Sequence, residues 1–220
     1  AITPNKPNRK IGDDIRLTTE ANAVSSPTSL VWTGSEYGAS WTDQRDGNLE
    51  IYFVRFSAGG SKIGADLRVT NNAAASEYTS LAWSGSEFGI GWTDSRDGNQ
   101  EIYFTRVSAA GAIIGASTRL TSNAYSSEQA SLAWAGGEFG VTWKDSRDGN
   151  QEIYFCRVSG AGGKIGSDIR LTSAGQDSQS PDLIWTGSEY GLTWQDWRNS
   201  GCEIYFARIA TDGIKIGGDL

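Results

Sequence analysis

One phrase of residues is written four times in this chain, at a constant interval. Asp43, Asp94, Asp145 and Asp196 stand 51 residues apart, the first three inside W-x-D-x-R-D-G-N-x-E-I-Y-F and the fourth inside W-Q-D-W-R-N-S-G-C-E-I-Y-F. A period of this length belongs to one supersecondary unit that cannot bury its apolar face alone, so neighbouring copies must supply the core. The repetition runs through all 220 residues. It is read as a single domain, residues 1–220.

The second copy shows what the unit is. Ser80-Leu81-Ala82-Trp83 is a short apolar run, and Ser84-Gly85-Ser86-Glu87 has the composition of a two-residue II′ hairpin. Phe88-Gly89-Ile90-Gly91-Trp92-Thr93 alternates large and small side chains, and Asp97-Gly98 after it suits a type I′ turn with two positive φ angles. Glu101 to Val107 is rich in β-branched and aromatic residues, and Ala110-Gly111 turns it into a fourth strand, Ile114 to Thr121. Four antiparallel strands at this period make a propeller blade, so the fold predicted is all-β: a four-bladed β-propeller with blades near 29–70, 80–121, 131–172 and 182–220. Residues 10–18, Lys10-Ile11-Gly12-Asp13-Asp14-Ile15-Arg16-Leu17-Thr18, repeat the outer-strand wording, and Lys215 to Leu220 is a clipped copy of it. One of the two is expected to complete the last blade and remove an exposed edge.

The run Asp94-Ser95-Arg96-Asp97-Gly98-Asn99-Gln100-Glu101-Ile102-Tyr103-Phe104, with Arg119-Leu120-Thr121 after it, resembles the repeat of TolB-like β-propellers. The resemblance covers all four units. It implies a blade, and it implies a non-enzymatic interaction module, the usual work of that family. The chain differs in having four units where such propellers usually have six, and W-x-G-x-E where they carry S-P-D-G.

Composition excludes several functions. A net charge of −7 and a pI near 4.7 leave no basic surface for nucleic acid or for an anionic bilayer, and no apolar run is long enough to insert in a membrane. The absence of histidine removes the commonest general base and metal ligand, so any catalysis rests on carboxylates. Nearly every acid is a fourfold echo, whereas an active site breaks repeat symmetry. The D-R-D-G-N wording also differs from the S-x-D-x-G-x-x-W box of sialidases. The expectation is therefore no catalytic residue and no required cofactor. Cys156 and Cys202 occupy non-equivalent positions and are read as free thiols. High Trp, Gly, Ser and Asn content fits an extracellular or periplasmic β-protein, monomeric or weakly oligomeric.

The loop oxygens Asp43, Asp46, Asn48 and Glu50, repeated as Asp94, Asp97, Asn99 and Glu101 and as Asp145, Asp148, Asn150 and Glu152, form a candidate calcium cage. Turn chemistry explains the same residues, and an arginine sits inside each cage. Asp43 with Arg45, and the three equivalent pairs, are expected to tie blade to blade. Arg55, Arg106, Arg157 and Arg208 are expected to pair with repeated acids such as Glu36 or Glu50. The tryptophans at 32, 83, 134 and 185 and at 41, 92, 143 and 194 are expected to pack the blades together. Inter-blade loops and D-R-D-G-N hairpins should share one face of the disc. There the non-repeated Trp197, Tyr78 and Tyr125, beside Asp43, Asp94, Asp145 and Asp196, are the candidate ligand-binding residues. Exposed rings among small polar residues suit a sugar or a protein partner, so the expectation is a non-enzymatic, lectin-like binding propeller, with a protein-interaction module as the alternative and a sialidase-like glycosidase ranked behind both.

Overall fold

The computed structural model describes residues 13–18 and 26–219. Among them lie sixteen strands and no helix, grouped as four antiparallel sheets of four strands each. The first blade pairs Ser26–Trp32, Glu36–Asp43, Glu50–Ser57 and Lys62–Arg68; the second pairs Ser76–Trp83, Glu87–Asp94, Glu101–Ser108 and Ile113–Arg119. The third pairs Ser127–Trp134, Glu138–Asp145, Glu152–Ser159 and Lys164–Arg170; the fourth pairs Ser178–Trp185, Tyr190–Asp196, Glu203–Ile209 and Lys215–Ile216. The four-bladed propeller read from the repeat is the fold observed.

The two apolar faces of each third strand build the core. Alternate residues point to opposite faces, so Tyr103 stacks on Trp92 of its own blade (centroids 5.9 Å apart) while Ile102 and Phe104 face the next blade. Across the three seams the same pair recurs: Phe53 with Phe88 at 4.8 Å, Phe104 with Phe139 at 5.1 Å and Phe155 with Tyr190 at 5.4 Å. A glycine makes room for each ring. A Cβ on Gly38, Gly89 or Gly140 would stand 2.5 to 2.6 Å from the incoming aromatic of the next blade. The seams also carry a repeated polar clamp, in which Ser29, Ser80 and Ser131 accept the amides of Leu81, Leu132 and Leu183.

One detail differs from the sequence reading. The Asp-Gly hairpin is not type I′: Gly98 has φ 98° but Asp97 is not left-handed, and the Gly98 amide donates to Ser95 O at 3.3 Å. A type I turn followed by a left-handed glycine spans the six residues between the strands, a connection too long for the two-residue turn. In the fourth blade Ser200, not Gly201, takes that position with φ 67°. Of the two segments expected to complete the last blade, the C-terminal one does so. Residues 10–12 and 220 lie outside the described residues; Asp13–Thr18 joins none of the four sheets, and the fourth blade carries its own short outer strand, Lys215–Ile216.

Candidate active site at the inner-strand bulges

Ser76 pairs with Asp94, Ser127 with Asp145 and Ser178 with Asp196, which puts inter-blade loops and D-R-D-G-N hairpins on one face. Asp43, Asp94, Asp145 and Asp196 lie beneath that face, fully buried. Asp94 accepts from Trp92 Nε1 (2.8 Å), Ser76 Oγ (3.0 Å), the Arg96 amide (2.9 Å) and the Arg96 guanidinium (2.6 and 2.8 Å). Burial pushes such a carboxyl up, but the arginine and tryptophan hydrogen bonds outweigh it and hold all four below the usual aspartate range, Asp196 at about 2. The arginines do not tie blade to blade as expected. Arg45 and Arg147 reach the outer strand of their own sheet, at Asp66 and Asp168 (2.9 Å each), because the second hairpin folds back over that strand.

The remaining loop oxygens are also engaged within their repeat. Asp46, Asp97 and Asp148 accept the hydroxyls of Tyr52, Tyr103 and Tyr154. Asn48, Asn99 and Asn150 donate to loop carbonyls, Asn48 to Asn72 O and Ala74 O at 2.9 Å each. Glu50, Glu101 and Glu152 bind Arg68, Arg119 and Arg170 at 3.0, 2.9 and 2.9 Å. Among the described residues, no group of three or more His, Cys, Asp or Glu is placed to hold a metal ion. Arg106, Arg157 and Arg208 pair with Glu87, Glu138 and Glu189, as the register predicts. Cys156 is buried and Cys202 exposed, both free.

Of the three single aromatics, Tyr125 is exposed in its loop and Trp197 is half-buried over the fourth blade's hairpin. Tyr78 stands elsewhere, at a bulge in the inner strand. Tyr78, Gln129 and Ser180 occupy equivalent places in three blades, each left-handed (φ 53°, 57° and 52°) where the pairing to the second strand slips. Side chains rarely adopt this conformation, and bulges of this kind re-aim side chains beside functional sites. The three bulges converge on an open concavity of about 300 Å³ lined by Tyr78, Thr79, Gln129, Ala130, Ser180 and Pro181.

Next to each bulge the repeat varies: the position is Glu77 and Glu128 in the second and third blades, against Ser26 and Gln179 in the first and fourth. Burial, and secondarily the charge of Glu128, push the Glu77 carboxyl above the usual glutamate range. Glu128 is paired with Lys144 at 3.2 Å, a residue without a like counterpart in the other blades. The Gln129 amide donates to Thr93 Oγ1 (3.0 Å), and Thr93 is the strand partner of Glu77, which binds the two blades together at this point. Reading the sequence by its symmetry missed this trio. The signal was present as the acids that fall outside the fourfold pattern.

No family model matches the chain, and no curated protein matches it. Solved structures do. Native Bacillus subtilis arabinanase Arb43A matches with a TM-score of 0.56 at 13% identity, over 86% of this chain and 74% of that one. A GH43 endo-arabinanase from Bacillus licheniformis matches with a TM-score of 0.54 at 14% identity, over 88% and 78%. A subtype N10 neuraminidase-like protein (A/little yellow-shouldered bat/Guatemala) matches with a TM-score of 0.62 at 9% identity, over 88% of this chain but 58% of its own length. At such identities the likeness shows a propeller fold, and it does not extend to the TolB-like wording of the blades. It corrects the expectation of a non-enzymatic lectin-like or interaction module, because the propellers matched bear glycoside-hydrolase and neuraminidase-like names.

Proposed function

We propose that the chain is a carbohydrate-active propeller that hydrolyses a glycosidic bond at the concavity where the inner-strand bulges meet. One observation carries the reading: two neighbouring carboxylates, present in only two of the four blades, sit in unlike surroundings, Glu77 pushed up by burial and by Glu128, and Glu128 paired with the unrepeated Lys144 at 3.2 Å. Glycoside hydrolysis needs this division, a carboxylic acid that donates a proton to the leaving oxygen and a carboxylate that activates water or attacks the sugar. Glu77 takes the first role and Glu128 the second. The Tyr78 ring offers a stacking surface for the C–H face of a sugar. The arabinanase and galactosidase names of similar folds favour arabinose- or galactose-containing polysaccharides as substrates. Such polymers are met outside the cytoplasm, in keeping with the location expected from composition.

Reducing-sugar release from arabinan and galactan, with 4-nitrophenyl arabinofuranoside and galactoside alongside, tests the reading. Turnover by the chain is expected, and Glu77→Gln and Glu128→Gln should each lower it by roughly 10²–10⁴-fold without moving the unfolding midpoint. Turnover that survives in both variants, or no release from any of these substrates, defeats the proposal.

A further inference from the structure

The arginines of the third strands fall into two pairs. Arg157 and Arg208 close the Nε–Nη2 fork on a glutamate of their own blade, Arg157 on Glu138 at 2.6 and 2.7 Å and Arg208 on Glu189 at 2.6 Å twice. Arg55 and Arg106 do not. Each meets its glutamate through Nη1 alone, Arg55 with Glu36 at 3.2 Å and Arg106 with Glu87 at 2.8 Å. The same Nη1 donates across the seam to the next blade, to Ala109 O or Gly160 O, which fixes the guanidinium in place. Among the described residues no acceptor takes Nε or Nη2 of either arginine, although the side chains are only 17% and 20% exposed.

Each free fork borders a cavity. Two cavities of about 130 Å³ occupy equivalent places in the first and second seams, walled by the outer strand of one blade and by the turn Ala110-Gly111 or Ala161-Gly162 of the next. Their origin is a bulge. Between the pairs Phe53–Leu67 and Arg55–Ile63 one residue of the third strand faces three of the outer strand, and Phe104–Thr118 and Arg106–Ile114 repeat the mismatch, so the outer strand lifts away. A Cβ on Gly111 would stand 3.4 Å from Arg55 Nε, and one on Gly162 3.2 Å from Arg106 Nε, which puts the fork against the glycine wall of each cavity.

The third seam shows what such a space accepts. Ile169 stands where Leu67 and Thr118 stand, and it presses on the turn so closely that a Cβ on Gly213 would meet its Cδ1 at 2.5 Å. Asp212 replaces Ala110 and Ala161, near enough for its charge to act on Arg157. There the chain itself supplies an aliphatic branch and a carboxylate. The first two seams lack the carboxylate and keep the cavity.

We propose that the first and second seams each bind a small aliphatic carboxylate, held by the Arg55 or Arg106 fork with its carbon body against Phe53 and Ile63 or Phe104 and Ile114. A guanidinium fork matches a carboxylate bidentately, and the apolar walls favour an acid with a short carbon chain over an inorganic oxyanion. About four waters' worth of volume suits an acid of about four carbons. The ligand touches two blades, so occupancy fastens the outer strand of one to the turn of the next. Neither cavity shares a residue with the concavity at the inner-strand bulges.

Proton–nitrogen correlation spectra of the 220-residue chain, titrated with sodium butyrate against sodium chloride at equal ionic strength, give the test. Saturating shifts are expected at the Arg55 and Arg106 Nε–H and at the Gly111 and Gly162 amides, with a Kd on the order of millimolar because Glu36 and Glu87 lie beside the site, and none at Arg157 or Arg208. Arg106→Lys keeps the charge without the fork and should abolish saturation at Gly162 while Gly111 still responds, so that the untouched seam reports an intact fold. Thr118→Ile combined with Ala161→Asp, which copies the third seam, should do the same. Shifts that stay linear to about 100 mM, an equal response to butanol or to inorganic phosphate, or saturation at Gly162 that survives either variant overturns the proposal.

Discussion

Replacing Asp94 by alanine should unmake one blade without touching the concavity. The carboxylate takes five hydrogen bonds, from Trp92, Ser76, the Arg96 amide and twice from the Arg96 guanidinium, and it is fully buried. Alanine leaves the indole N–H, the serine hydroxyl and a guanidinium without their acceptor. Breaking a buried ion pair by removing one partner costs about 3–5 kcal/mol, against a total stability of about 5–15 kcal/mol. With a urea slope of about 3 kcal/mol/M, the unfolding midpoint should fall by about 1–1.7 M. Tryptophan fluorescence follows the transition directly, since Trp92 is itself a donor to the lost group. Asp94→Asn keeps one acceptor oxygen and should fall between alanine and the parent. A midpoint unchanged within error in the alanine variant, with polysaccharide turnover lost, would refute the assignment of this residue to stability.

Two further outcomes follow from the titrating groups. The buried aspartates have folded-state values below their ordinary 3.8, so their contribution is present above that value and lost as pH falls; for Asp196, held at about 2, it amounts to about 2 kcal/mol. Glu77 has the opposite sign, its contribution being present below its ordinary 4.5 and lost as pH rises through its raised value. Urea midpoints measured from about pH 5 to pH 2 should therefore drop steeply, and a flat profile would contradict the scheme. The thiols should separate as well: burial pushes Cys156 up to about 12, so a thiol reagent at about pH 8 should label only Cys202 in the folded chain and both residues in denaturant. Rapid labelling of both in the folded chain would mean that the third blade opens.

The fold was legible because structure and repeat share one period. The 51-residue interval located each Trp-Asp pair, and the alternation in Glu101–Ser108 placed Tyr103 and Phe104 on opposite faces of their sheet. What the sequence concealed was non-local. Arg45 could have paired across a seam or within its sheet; the fold of the second hairpin over the outer strand decided for Asp66. The Asp-Gly dipeptide suggested a short turn, and the loop length chose a longer one. The candidate site was hidden for another reason. A fourfold pattern draws attention to its echoes, whereas Glu77 and Glu128 recur in only two blades and Lys144 in one, on three different strands that meet only when the blades assemble.

Each 51-residue unit closes its own polar circuit. Asp94 is served by Trp92, Ser76 and Arg96, and Glu101 by Arg119 and Thr121, all from one unit, while the seams carry a ring in a glycine notch, a serine that accepts an amide, and hydrogen bonds to hydroxyls and carbonyls such as Gln129 N–H to Thr93 Oγ1. A gene that gains or loses one unit by unequal recombination would therefore strand no buried charge. Blade number in such a protein is open to change in a single genetic step, and the asymmetry at Glu77, Glu128 and Lys144, proposed above as catalytic, can arise afterwards by point substitution in units that already fold.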